Sequence, residues 1–212
     1  VTYGQFRDFV LSLINQYSAN DKQIVRDYND QADYVNRIPR LYNDAMSEIA
    51  SQTDEFTGVM DVGVLPKNLV RPGWIAVTPP EDYMRMTGAG IPVVRGGVMY
   101  RSNDYHVMGD GRVVLSAELF RNGLIEYCRK PRRLDVEPQE LTGAEVLDGP
   151  DECNYAAAYH VAALLVLEDN PYMYSVLESG YEDRLKQIKT KLRADTGAVC
   201  DSYALNYDPY SF

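Results

Sequence analysis

The chain predicts an α+β fold: a bundle of about four helices, an inserted small antiparallel β unit and an extended C-terminal tail. Three observations predict it. Apolar residues recur at helical spacing near both ends, where one face of a helix must be buried. Most of the glycines and prolines fall in the middle, between β-rich runs. The end of the chain carries aromatic residues but no apolar stripe. The expected parts are an N-terminal helical hairpin (1–55), a β-rich insertion (56–136), a C-terminal helical hairpin completing the bundle (137–194) and the tail (195–212).

Each element has a local reason. Thr2 and Gln5 have the spacing of a capping box, and Phe6, Val10, Leu13, Ile14 and Tyr17 follow as one stripe. Residues 18–30 are polar and aperiodic, and are expected to form a loop. Ala32, Val35, Ile38, Tyr42, Ala45, Met46 and Ile49 make a second stripe. Pro39 interrupts it and removes one backbone donor, which predicts a kink or a break. In the middle, 59–65, 74–78, 91–101, 106–115 and 123–128 are the expected strands, with Gly109-Asp110-Gly111 as a hairpin turn. Pro79-Pro80 and residues 86–92 are expected loops. An Ala-rich helix should start near Pro150 and run to Glu168, and Asn170-Pro171 restarts the chain as a second helix. Tyr174, Leu177, Tyr181, Leu185, Ile188 and Leu192 form its stripe.

Composition narrows the function classes. The 212 residues are 45% hydrophobic and 25% charged, the balance of a globular chain and not of a disordered or collagenous one. A net charge of −10 argues against general nucleic-acid binding, which needs cations to neutralise phosphates. Cys128, Cys153 and Cys200 form no CxxC pair and predict reduced thiols in a cytosol. The most apolar stretch, 156–167, falls short of the ~20 residues of a membrane span, and no signal peptide is expected. The chain holds 17 Tyr against 5 Phe, and tyrosine, apolar with a polar tip, favours protein contact surfaces.

No catalytic constellation emerges. Walker, G-x-S-x-G and H-E-x-x-H motifs are missing, and Gly88-Ala89-Gly90 lacks the third glycine and helix of a dinucleotide loop. His106 and His160 are expected to be structural. The acidic pairs Asp54-Glu55, Glu81-Asp82, Asp151-Glu152 and Glu168-Asp169 have capping or solvation as their simplest role. No enzyme activity, cofactor or metal is expected. Arg129, Lys130, Arg132 and Arg133 are the densest cationic run in an acidic chain, which marks a solvated loop, a dock for an acidic partner surface or a phosphate, or, third, a nuclear signal. Tyr203, Tyr207, Tyr210 and Phe212 make the tail a second candidate dock, since disordered tails usually avoid aromatics.

The order of motifs resembles the head-to-tail connector, or adaptor, proteins of tailed bacteriophages. The residues that carry the resemblance are N-R-I-P-R-L-Y-N-D-A-M-S-E-I at 36–49 and Y-C-R-K-P-R-R-L at 127–134. P-D-E-C-N-Y-A-A-A-Y-H-V-A-A-L-L at 150–165, D-N-P at 169–171 and Y-E-D-R-L at 181–185 complete them. The aromatic-x-R-x-P step before an Ala-rich helix is the most specific part. The resemblance implies a virion protein of the neck, assembled in the host cytoplasm, with homo-oligomeric copies in a ring. Its implied partners are the portal protein, neighbouring copies and a downstream tail or stopper protein, with genome DNA passing unbound and no membrane. The alternatives are a non-catalytic ligand- or glycan-binding module and a carboxylate-dependent hydrolase.

Overall fold

The computed structural model describes residues 1–16, 28–88, 90–95, 98–121, 123–135 and 138–204. The helices are α1 (Tyr3–Gln16), α2 (Tyr28–Gln52), α3 (Ala117–Arg121), α4 (Asp151–Val166) and α5 (Pro171–Ala204). The strands are β1 (Thr57–Asp61), β2 (Lys67–Arg71), β3 (Trp74–Val77), β4 (Tyr83–Met86) and β5 (Ile91–Arg95), then β6 (Val98–Ser102), β7 (Tyr105–Val107), β8 (Val113–Ser116) and β9 (Leu124–Arg129). The chain divides into two compact units. Val1–Thr53 and Pro131–Leu192 build a helical one, and Asp54–Lys130, with all nine strands and α3, lies in the other.

The expected helical bundle with a small β insert and an extended tail is therefore corrected on two counts. Among the described residues there are five helices and nine strands in three antiparallel sheets, and the strands have a core of their own. The expected tail also begins too early, because α5 continues through Ala204. Two physical reasons account for the difference. Most strands here are only three to five residues long, so a single apolar run such as 91–101 holds two of them. Extending an existing helix also avoids the nucleation cost that a free-standing segment would bear.

In the helical unit the local signals act as their chemistry dictates. The Thr2 N–H donates to Gln5 Oε1 at 3.0 Å and the Gln5 N–H donates to Thr2 Oγ1 at 3.4 Å, a reciprocal capping box. The Asn170 side chain accepts from the Met173 N–H at 3.1 Å, with Pro171 as the first helical residue. α2 runs unbroken through Pro39, which is buried; the packing of Ile38, Tyr42, Met46 and Ile49 holds the helix across the missing donor. The Phe6 ring meets Tyr42 edge-on at 5.0 Å. α4 is buried around most of its circumference, and Ala156, Ala157, Ala158, Ala162 and Ala163 are all fully covered. Its small side chains thus serve close packing within the chain, chiefly against α1 and α2. α5 buries Met173, Leu177, Tyr181, Leu185 and Ile188. Each such aliphatic residue contributes ~1.5–3 kcal/mol by leaving water.

The β unit consists of the sheets β1-β9-β4, β2-β3-β8-β7 and β5-β6. Met60, Val77, Met86, Ile91, Val113, Leu115, Ile125 and Tyr127, with Leu119 of α3, form its core. On the β1–β9 ladder Gly58 stands opposite Tyr127, and the ring occupies the space a side chain would need. The 109–111 turn closes the β7–β8 hairpin, with Gly111 at φ 83° in the left-handed region. Among the described residues no helix is long and apolar enough to cross a membrane.

Candidate partner-docking surfaces

The cationic run is split between the two units. Arg129 and Lys130 end the β unit, and Arg132 and Arg133 open the returning helical segment. Arg129 is committed to packing. Its guanidinium lies over the buried Phe56 ring at 5.9 Å, and its Nε donates to the Thr57 carbonyl at 3.3 Å. Lys130 is exposed, yet its N–H donates to the Asp82 carbonyl at 2.7 Å and its Nζ to the Glu81 carbonyl at 3.2 Å.

Arg132 and Arg133 are placed differently. Asn43, buried on α2, clamps the next residue on both sides: Leu134 N–H donates to Asn43 Oδ1 at 2.8 Å, and Asn43 Nδ2 donates to the Leu134 carbonyl at 3.1 Å. The Arg132 N–H donates to Asp148 Oδ2 at 2.7 Å. This backbone is fixed while both guanidinium side chains stay exposed; Arg133 Nε lies 3.4 Å from the exposed Asp135. The two arginines line a cleft of about 340 Å³ with Tyr42, Leu134, Leu147, Asp148 and Val146, the last 81% exposed; Asp148 is already engaged by the Arg132 N–H. Paired cations beside an exposed apolar side chain can receive an acidic segment that carries an apolar residue. Of the tail candidates, Tyr203 falls on α5, whereas Tyr207, Tyr210 and Phe212 lie outside the described residues.

The other titratable groups have structural duties. His160 Nδ1 lies 2.9 Å from Glu178 Oε2 and its Nε2 lies 3.8 Å from Glu48 Oε2, so its two nitrogens face opposite ways. The Tyr181 hydroxyl donates to Glu48 Oε1 at 3.1 Å, and its ring lies against His160 at 4.6 Å. This network straps α2, α4 and α5 together, and burial pushes the Tyr181 hydroxyl well above its ordinary range. His106 is exposed on β7 beside Trp74. Among the described residues no three metal-binding side chains gather.

One polar cluster in the β unit escaped sequence reasoning. Asp54 Oδ1 pairs with Arg85 Nη1 at 2.6 Å and accepts from Cys128 Sγ at 3.2 Å, while Oδ2 accepts from the Gly88 N–H at 3.0 Å. Burial alone would raise Asp54, but the bonds from Cys128, Arg85 and Gly88 outweigh it and hold the carboxyl below its usual range. Burial, and then the adjacent carboxylate, push the Cys128 thiol up to about 12. Such a thiol stays protonated and is a poor nucleophile. Similarly, the Asp82 carboxylate accepts from the Tyr127 hydroxyl at 2.7 Å, and Asp169 from Tyr34 at 2.8 Å. One member of three acidic pairs is thereby engaged in holding the fold. No signal within a few residues marks these partners, since Asp54 and Cys128 are far apart in the chain. No family model matches this chain, and no curated protein matches it either.

Proposed function

We propose that the chain is a structural subunit of a phage connector ring, joining the portal to tail components around the DNA path. The observation that carries the reading is the aromatic-x-R-x-P step at Tyr127, Arg129 and Pro131, with the Ala-rich segment that follows it. Two features of the molecule support it. The chain passes from one compact unit to the other between Lys130 and Pro131, inside that step. The return segment then presents Arg132 and Arg133 on a clamped backbone, the arrangement expected of a rigid docking edge for an acidic protein surface. A net charge of −10 suits a conduit through which phosphates must slide without adhering.

The test is electron microscopy of the protein mixed with the portal protein of its own genome. A ring of copies seated on the portal is the expected result. A protein that neither co-purifies with the portal nor forms rings on it, over a range of salt concentrations, overturns the reading.

A further inference from the structure

Two edge strands of the β unit are open and complementary. Among the described residues β1 pairs only with β9, and β2 only with β3. The Phe56 carbonyl accepts from the Arg129 N–H, and the Val62 N–H donates to the Gly123 carbonyl, so the ladder to β9 uses the even-numbered residues. Antiparallel pairing alternates direction along a strand, which turns the backbone groups of Thr57 and Val59 toward the open side; the Thr57 carbonyl is taken by Arg129 Nε, so Val59 is the centre of the open stretch. The Pro66 carbonyl likewise accepts from the Thr78 N–H, which leaves Lys67 and Leu69 facing outward on β2.

The side chains match as well. Val59 is 59% exposed and Leu69 is 74% exposed, each at the centre of its strand. β2 carries Lys67 and Arg71 and no acid. Lys67 Nζ donates to the Gly63 carbonyl at 2.8 Å and lies 5.2 Å from the Phe120 ring, and Arg71 lies 4.7 Å from Trp74, so both cations are positioned. Asp61 Oδ1 accepts from the Gly63 N–H at 2.8 Å and keeps its other oxygen for a partner. β1 ends on the exposed Asp61, and Glu126 of β9 stands opposite Val59 on the same exposed face. A cation at each end and the irregular register between Leu69 and Arg71 are devices that guard an edge. A merely guarded edge has no need of an exposed leucine between them.

We infer that β2 of one copy pairs antiparallel with β1 of a second copy of this chain. Val59 and Leu69 then exchange backbone hydrogen bonds at the centre, and Asp61 falls opposite Lys67. Two different surfaces meet, so each added copy leaves one β1 and one β2 open, and a suitable rotation closes the series into a ring. The inference deepens the connector reading, on which it rests for that closure. A five-residue pairing falls well below the ~1,200–2,000 Å² of stable interfaces, so free copies associate weakly and a template must raise their local concentration.

The test uses the full chain with Cys200→Ser, since Cys128 and Cys153 are buried. Val59→Cys and Leu69→Cys are made separately, mixed at millimolar concentration in low salt, and oxidised. Hydrogen-bonded partners on facing strands have Cα atoms ~5.5 Å apart, within disulfide reach. The mixture should give a disulfide dimer that neither variant forms alone. Asp61→Lys should lower its yield about threefold, and adding Lys67→Asp to the partner copy should restore it. Asp61→Cys with Lys67→Cys provides a second pair in the same register, on the side of the strand away from the irregularity between Leu69 and Arg71. Homodimers of Val59→Cys in comparable yield, or no mixed product from either pair, overturn the pairing. Rings on the portal without the cross-link remove the edge pairing and leave the connector reading intact. A cross-link in a protein with no portal affinity does the reverse.

Discussion

Two tyrosines buried in the helical unit differ in how their hydroxyls are bonded, and that decides what each does for stability. The Tyr42 hydroxyl donates to Asn154 Oδ1 at 3.0 Å, and Asn154 Nδ2 donates in turn to carbonyls of Asp148 and Pro150 at the start of α4. The Tyr3 hydroxyl is buried with no hydrogen-bond partner among the described residues. Tyr42→Phe should cost ~1–3 kcal/mol because it strands the Asn154 carbonyl oxygen, while Tyr3→Phe should be neutral or stabilising. Urea unfolding of the two variants checks this, and an equal loss in both would refute it. Cys128 makes the second prediction, about pH. Its thiol loses its proton near 9.0 when unfolded and at about 12 when folded, so between those values the unfolded chain binds fewer protons and stability falls as pH rises. Tyr127 adds to the decline only above its unfolded value of 10.0. Melting temperature should therefore drop from pH 9 upward, and Cys128→Ala should flatten the first part of the slope. For Asp54 the sign is opposite: its stabilisation is present above 3.8 and is lost as pH falls through the depressed folded value.

Pairs of elements meet where a missing side chain lets them. A Cβ on Gly58 would lie 2.7 Å from Cζ of Tyr127, a ring pinned by its bond to Asp82. Gly→Ala in a strand ordinarily stabilises by restricting the unfolded chain. Gly58→Ala should instead destabilise by ~1–3 kcal/mol, as overpacking does, and calorimetry will read the sign. Gly180 plays the same part in the helical unit, where a Cβ would lie 2.7 Å from Cδ1 of Tyr159 and the Arg184 guanidinium covers that ring at 4.4 Å. Local signals anticipated several elements: β3, β9, the 109–111 turn and the Asn170 cap depend on atoms a few residues apart. β2 gave no such signal, since all five of its residues are exposed and no alternation marks it. The run 91–101 read as one strand holds β5 and β6, which pair with each other antiparallel.

For the whole molecule the cationic run yields the last prediction. Arg129 packs on Phe56, so reversing its charge would confound docking with folding. Arg132 and Arg133 are exposed and their backbone is held independently by Asn43 and Asp148. Arg132→Glu with Arg133→Glu should weaken portal binding at low salt and leave the unfolding free energy within ~0.5 kcal/mol of the parent. Unchanged affinity at low salt would return these residues to the role of solvated charges.

By itself the sequence determined where α1, α4 and α5 start, where the 109–111 turn falls and which faces seek burial, because caps, turn residues and stripes act over a few residues; it missed α3 and the start of α2, which lies inside the stretch read as a loop. It also showed the cationic run and the aromatic-x-R-x-P step at 127–131. Tertiary structure alone decided that the middle of the chain is a unit with its own core, and that the run divides into two cations bonded to carbonyls of the β unit and two presented ones. It alone brought Asp54 to Cys128 and Glu48 to His160, and left β1 and β2 as open edges. The physical reason is that burial and pairing are properties of distant partners. A strand's exposed edge is defined by the neighbour it lacks, and no spacing within its own five residues records that.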